Sequence, residues 1–363
     1  MPRLIAVLTI LSATPPYPPD AAEPALVRLT FAAEAHISPV YSPNGRYIAC
    51  IERGLQAERC LMLSRDGQRI AMGGTSGSRV AGPPSWSPDS RSVCWLTADG
   101  SLWILDADGS SRETHLPAVG APRQAIWQRR DARALVATHL GIYSFPIDSA
   151  KPPQRLSTAG EPGEMGPISL SRDGSGLAYI AADRVYVTPG PTSAGTEIAG
   201  PASPGTGYTG VWLAPDGNAA LVLEEARGLR RAVAECDQPP VPLVRPSALQ
   251  CRMEAPARRL LWVDRATLAQ TEVPVGEGEL LGVVWAPEPD QSGRYGFLLA
   301  LGCSLVRYCP GEARATVVFR SASEVREPTG DPHGRNVVFS SPRDATDPSR
   351  PRDRVPNLYA VAL

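Results

Sequence analysis

Lysine is almost missing from this chain: Lys151 is the only one, and arginine supplies the rest of the basic charge. Basic and acidic residues nearly cancel, 36 against 37, leaving a formal net charge of −1. No electrostatic footprint for nucleic acid or for an acidic membrane surface is present. Histidine is scarce too. His36, His115, His139 and His333 are the full set, and no two sit at the spacing that places paired metal ligands on one helix face. The seven cysteines include no Cys-x-x-Cys pair. A nucleophile elbow, Gly-x-Ser-x-Gly, is absent; the nearest text, Gly74-Thr75-Ser76-Gly77-Ser78, lacks the second spacing. No glycine-rich phosphate loop follows a strand and opens a helix. Asp106-Ala107-Asp108-Gly109 has the start of a calcium loop, but Pro117 stands where its twelfth, acidic ligand belongs. These absences leave no expected catalytic residue, metal site or cofactor. The apolar run from Leu4 to Leu11 is too short to span a bilayer.

What the chain does have is a recurring phrase. Tyr41-Ser42-Pro43-Asn44-Gly45-Arg46 is the first copy, and Trp86-Ser87-Pro88-Asp89-Ser90-Arg91 the cleanest. Degenerate copies follow at Trp127-Gln128, Leu170-Ser171-Arg172-Asp173-Gly174, Leu213-Ala214-Pro215-Asp216-Gly217, Trp285-Ala286-Pro287 and Gly330-Asp331-Pro332-His333-Gly334-Arg335. With the second residue of each as an anchor, the copies stand at 42, 87, 128, 171, 214, 286 and 331. All intervals but one match the period of roughly 40–45 residues of a four-stranded propeller blade. The runs between are short and β-rich, such as Ser92-Val93-Cys94-Trp95-Leu96 and Leu102-Trp103-Ile104-Leu105, and turns at Asp99-Gly100 and Asp108-Gly109 follow them. That pattern reads as successive hairpins rather than helical repeats.

The phrase has turn chemistry. Proline pre-sets φ at the first corner, Asp or Asn bonds nearby backbone, and glycine accepts a positive φ. Its Ser and Asp residues are therefore structural. The unit from Trp86 through Val93-Cys94-Trp95-Leu96 to Leu102-Trp103-Ile104-Leu105-Asp106-Ala107-Asp108-Gly109 resembles one blade of a TolB-type propeller. It is similar as well to blades of the N-terminal propellers of prolyl oligopeptidase-like and dipeptidyl peptidase-like enzymes. The resemblance covers nearly the whole chain after about Glu23. It implies a propeller fold and, from TolB-like relatives, a partner protein received at the channel mouth. It carries over no catalytic residue, because no hydrolase segment follows.

The expected fold is all-β: a seven-bladed propeller, with a six-bladed TolB-like ring as the alternative if the Trp127 copy is not a blade. The last blade lacks an outer strand, and Leu26–Phe31 is a spare strand at the other end of the chain. Pairing of Leu26–Phe31 with Leu358–Val361 would close the ring and hide an unpaired edge. The long interval predicts an insertion at about 227–256, between the second strand of blade five (Leu221-Val222-Leu223) and its third (Leu260–Asp264). It should emerge on the ring face that carries the blade-to-blade connections.

Residues 1–22 read as a secretory leader or a proline-rich tail ahead of a single propeller domain at 23–363: Arg3, the short apolar core and Ser12-Ala13 precede Pro15-Pro16-Tyr17-Pro18-Pro19. A periplasmic or secreted location follows, with the cytoplasm as the rival. Cys50 and Cys94 fall in strands as buried small hydrophobes. Two bridges are open in an oxidising compartment: Cys236–Cys251 across the insertion and Cys303–Cys309 across a hairpin turn.

Innermost strands begin at the channel mouth, so residues five to eight before each anchor should ring one face. They are His36, Arg79, Arg123, Glu164, Tyr208, Glu279 and Arg326. The expected function is a monomeric, non-catalytic scaffold that grips a protein or peptide there. Two rival readings are a hydrolase or lactonase with a channel metal on Glu164 and Glu279, and an accessory propeller of a separate peptidase.

Overall fold

Most of the repeated phrases fold as tight turns, and similar hydrogen bonds build them. In the first copy the Ser42 N–H donates to the Tyr47 carbonyl (2.9 Å), and Gly45 N–H donates to the Ser42 carbonyl (2.9 Å). The Ser42 hydroxyl donates to Asn44 Oδ1 (2.8 Å) and accepts from Tyr47 N–H (3.0 Å). Ser87 with Asp89 and Ser171 with Asp173 repeat the arrangement. In the seventh copy Asp331 takes over the serine's place. Its carboxylate accepts from the N–H groups of His333 and Arg335 and from the Asn336 amide. These bonds hold the Asp331 carboxyl below the usual carboxylate range against the opposing effect of burial.

The computed structural model describes residues 26–31, 34–74, 78–116, 120–128, 132–147, 152–156, 165–190, 193, 195–200, 202, 205–226, 258–275, 279–291, 293–311, 315–342 and 355–363. Their regular structure is seven four-stranded antiparallel sheets. Blade 1 is β2 (Ala35–Tyr41), β3 (Tyr47–Arg53), β4 (Glu58–Ser64) and β5 (Arg69–Gly74). Blade 2 is β6 (Ser85–Trp86), β7 (Ser92–Leu96), β8 (Ser101–Asp106) and β9 (Ser111–His115). Blade 3 is β10 (Pro122–Gln128), β11 (Arg133–Thr138), β12 (Gly141–Pro146) and β13 (Gln154–Arg155). Blade 4 is β14 (Met165–Leu170), β15 (Leu177–Ala181), β16 (Arg184–Thr188) and β17 (Thr196–Ala199). Blade 5 is β18 (Thr206–Leu213), β19 (Ala219–Ala226), β20 (Arg258–Asp264) and β21 (Gln270–Val273). Blade 6 is β22 (Leu280–Pro289), β23 (Tyr295–Leu301), β24 (Ser304–Tyr308) and β25 (Thr316–Arg320). Blade 7 joins β26 (Arg326–Gly330), β27 (Asn336–Ser341) and β28 (Asn357–Ala362) to the N-terminal β1 (Leu26–Arg28). The Trp127 copy therefore does found a blade, and the six-bladed alternative is set aside.

The ring closes at two radii. On the outside, Leu26, Val27 and Arg28 pair with Val361, Ala360 and Tyr359, a shorter match than the six-residue strand expected. Thr30 extends the clasp: its hydroxyl donates to Asn357 Oδ1 (3.2 Å) and accepts from Leu358 N–H (2.9 Å). On the inside, the Ser38 N–H and hydroxyl donate to the Glu327 carboxylate at 2.6 and 3.0 Å. Tyr41 N–H donates to the Thr329 hydroxyl (3.3 Å). That last bond belongs to a series. A hydroxyl two residues before an anchor accepts from the N–H one residue before the next anchor. Ser85 serves Trp127 (2.9 Å), Ser169 serves Leu213 (3.0 Å), and Thr329 serves Tyr41 across the closing seam.

The core is divided among the faces between blades. Ala49, Cys60 and Met62 of blade 1 pack on Trp86, Val93 and Trp95 of blade 2. Cys50 and Leu61, on the opposite face, pack on Val338 and Leu358 of blade 7. The Val, Leu and Met side chains among them each contribute about 1.5–3 kcal/mol on burial. Blades also touch through backbone. A Cβ on Gly282 of blade 6 would lie 2.4 Å from Pro328 Cδ of blade 7, so that approach requires glycine. Innermost strands are interrupted by β-bulges, at Ile37/Val40, Pro122/Gln124, Met165/Ile168, Tyr208/Gly210, Leu280/Gly282 and Arg326/Thr329. Pro39, Pro167 and Pro328 lie inside bulges, where the missing N–H costs no ladder bond.

Two expectations need correcting. The sixth turn is not at Ala286: β22 runs on to Pro289, and the turn bonds form around Asp290, which receives Gly293 N–H and Arg294 N–H. Cys303 and Cys309 are both free thiols, one exposed and one buried. They stand at opposite ends of β24, roughly 20 Å apart at about 3.3 Å per residue, far beyond disulfide reach. The insertion leaves from Ala226 and returns at Arg258, between the expected second and third strands. Its residues, with Cys236 and Cys251, lie outside the described set. Cys50, Cys60 and Cys94 are fully buried, and burial pushes the Cys94 thiol up to about 12.

If the hydroxyl series helps hold the ring, Thr329→Val should lower unfolding free energy by about 1–2 kcal/mol by stranding the Tyr41 N–H. Thr316→Val, at an exposed position of the outer strand β25, should change it by less than about 0.5 kcal/mol. Urea titration followed by tryptophan fluorescence would measure both, and equal midpoints for the two variants would contradict the assignment.

Candidate functional site: the central channel

The seven innermost strands surround a cavity of about 1820 Å3. One level of its wall follows a simple register. The residue four before each sequence anchor lies in the wall in every blade. Blades 7, 1 and 3 supply Glu327, Ser38 and Gln124; blades 2 and 4 supply Pro83 and Pro167; blades 5 and 6 supply Gly210 and Gly282. The polar side of this level is therefore confined to blades 7, 1 and 3. Gln124 Oε1 accepts from Ile168 N–H (3.1 Å), and Glu327 holds Ser38, so both are oriented by neighbouring blades. Ser38 and Glu327 adopt left-handed backbone, φ 50° and 47°, inside their bulges. For residues with a Cβ this conformation is costly, and here it is sustained by the bond between them.

Antiparallel topology separates the two mouths chemically. The mouth where innermost strands begin carries Glu279, Arg326 and Glu327 together with two ion pairs, Arg53–Glu58 and Arg258–Glu225 (2.6 Å). Arg326 is committed to Glu324 on its own segment. Glu279 has no side-chain partner among the described residues. The other mouth is rimmed by the anchor turns, with Pro43, Pro215, Pro287 and Pro332. Arg172 replaces the proline of its phrase there. Its Nη1 donates to the Pro287 carbonyl (2.6 Å), reaching from blade 4 to blade 6.

Of the residues expected at the channel, Glu279 and Arg326 line it. Glu164 lies outside the described residues. Arg79 is exposed on the connection before β6, and Arg123 is half-buried in its bulge; neither reaches the wall. Tyr208 is buried between blades 4 and 5, where burial and the Glu224 carboxylate raise its phenol. The bulges explain the misplacement. In the bulged strands they shift the faces just ahead of that level, so counting back five to eight residues lands on or beyond the irregularity; Arg79 lies ahead of the short β6.

His36 departs furthest from the expected ring at the channel mouth. It is 3 % exposed, at the seam between blades 1 and 7. Its N–H donates to the Pro356 carbonyl and its carbonyl accepts from the Ser340 hydroxyl, both at 2.8 Å. Nε2 lies 3.6 Å from Glu52 Oε1, and Nδ1 is buried with no hydrogen-bond partner. Burial lowers the pKa, and the Glu52 and Glu34 carboxylates offset only part of that. His115, by contrast, is exposed on β9 as expected.

Among the described residues no group of three or more His, Cys, Asp or Glu side chains is placed to hold a metal ion. No helix among them is long and apolar enough to cross a membrane. The architecture and channel define the class: a seven-bladed β-propeller. No protein-family profile matches the chain, and no curated protein matches it. Among solved structures, the Myceliophteria thermophila Cps50 (Swd1) β-propeller domain is similar with a TM-score of 0.58 and 11% sequence identity. The likeness covers 92% of this chain and 99% of that one, and at this identity it establishes the fold alone.

The neutral, buried state of His36 makes stability pH-dependent. Its folded pKa lies below the ordinary 6.5, so the unfolded chain binds the extra proton first as pH falls. The His36 contribution should be complete above pH 6.5 and decline below it, down to the folded value. His36→Gln should flatten the slope of unfolding free energy between pH 7 and pH 5; an unchanged slope would show that His36 titrates as it does unfolded.

Proposed function

We propose that this protein is a non-catalytic, TolB-like β-propeller scaffold that binds a protein or peptide partner at the channel mouth formed by the starts of its innermost strands. The channel carries this reading. At about 1820 Å3 it exceeds the roughly 300–1,000 Å3 typical of small-molecule pockets, a volume that can hold a polypeptide segment. Most of its charged groups gather at one mouth, where Glu279, Arg326 and Glu327 face solvent and two neighbouring ion pairs set the rim. Polar rims around less polar walls suit protein recognition. The likeness of Trp86–Gly109 to a TolB-type blade supports the same use of that mouth. We further propose action as a monomer outside the cytoplasm, after removal of residues 1–22 as a leader.

A photo-reactive amino acid placed at Glu279 or Arg326 should capture one shared partner in an extract of the source organism. The same group at Glu113, on the exposed outer strand β9, should capture nothing comparable. Equal capture from Glu113, or none from the mouth, would contradict the reading. N-terminal sequencing of exported protein should begin near residue 23, and a full-length cytoplasmic chain would contradict the location.

A further inference from the structure

The channel wall is set back between blades 5 and 6, in a recess lined by Trp212, Leu223 and Trp285. Innermost strands of the other neighbouring blades are in contact, whereas β18 and β22 scarcely touch. Gly210 and Gly282 contribute no side chain to the wall; Trp212 packs over the first and Pro328 over the second. Behind Gly210 the second-strand residue Leu223 becomes part of the wall. Trp212 and Trp285 form the sides. Both are half-buried, unlike Trp86, Trp95 and Trp127 elsewhere in the ring. The Trp285 ring is fixed edge-on against Trp262 (5.7 Å) and Phe297 (5.5 Å). The Trp212 indole folds back over Gly210, where a Cβ would lie 2.4 Å from it.

Charge gives the channel a direction. Glu279 and Glu327 lie at one mouth without a cationic partner among the described residues. Arg172 lies at the other, where Asp331 is turned to Arg65; among the described residues no carboxylate pairs with Arg172, and only its Nη1 and backbone N–H are engaged. Its remaining guanidinium donors suit a carboxylate held in two-point fashion.

We propose that the channel takes the C-terminal segment of a peptide or protein. The α-carboxylate sits on Arg172, a bulky apolar side chain fills the recess between Trp212 and Trp285, and a basic residue upstream meets Glu279 and Glu327. Arg172 stands about 10–16 Å along the strands from Trp212 and Gly210, so the apolar residue falls about three to five positions before the C-terminus. This rests on the peptide-binding reading above and names its ligand.

The test is selection from a random nonapeptide library displayed with free C-termini, using the full chain. Selected peptides are then synthesised both as acids and as C-terminal amides. The expected result is an aromatic or large aliphatic residue three to five positions before the end, with affinity at least tenfold weaker for the amide. Arg172→Gln, an exposed position, should abolish the acid–amide difference. Trp212→Ala should weaken the acid tenfold, and Trp212→Leu, which keeps the bulk if alanine impairs folding, should shift the preferred apolar residue. Peptides that bind equally as acid and amide and equally to the Arg172→Gln variant would overturn the proposal, as would recovery of no peptide. Partner capture at Glu279 together with either result would leave the scaffold reading standing and remove only this ligand.

Discussion

Closure of the ring is the constraint on which the rest depends. Seven sheets packed face to face bury their apolar surfaces only if the first and last also meet, and this chain meets that demand by building blade 7 from both of its ends. The outer clasp is slight, three paired residues of β1 with Thr30 behind them. It is reinforced at the inner radius by Glu327 on Ser38 and Thr329 on Tyr41, and between the two by the buried contacts of Cys50 and Leu61 with Val338 and Leu358. His36 sits in the same seam and stays neutral there, so closure and proton binding act against each other.

Closure also shapes the channel. Bulges let six of the seven innermost strands bend around the axis. One residue per blade lines the channel at a common level, and several of these reach the next blade, as Glu327 does Ser38 and Gln124 does Ile168. Blades 7, 1 and 3 place polar groups there, and blades 5 and 6 place Gly210 and Gly282. A symmetric scaffold thus acquires a polar side, an apolar recess and two unlike mouths.

Much of the scaffold was legible because its turns use side chains as fasteners. Ser-Pro-Asp marks a turn in which the hydroxyl, the carboxylate and two N–H groups are interlocked, and such chemistry survives in sequence. Copies lacking it were harder to place: at Ala286 the missing Asp allowed β22 to run on to Asp290. The site was less legible because bulges are not marked by a periodic pattern. Counting back from an anchor finds Glu279 and Arg326 but passes over Gln124, Gly210 and Trp212. A register of four before the anchor would have found one full level of the wall, and the glycines at that register in blades 5 and 6 were its visible signal. His36 was misjudged because nothing local distinguishes a solvated histidine from one covered by Pro356 and Ser340, more than 300 positions away in the chain.

The most direct test of the account is hydrogen exchange of a chain that begins at Glu34 and so lacks β1. If both ends close one blade, amides of β26, β27, β28 and β2 should lose protection together while those of β14 to β17, on the far side of the ring, keep theirs. Unchanged protection in blade 7 would contradict closure by the N-terminal strand.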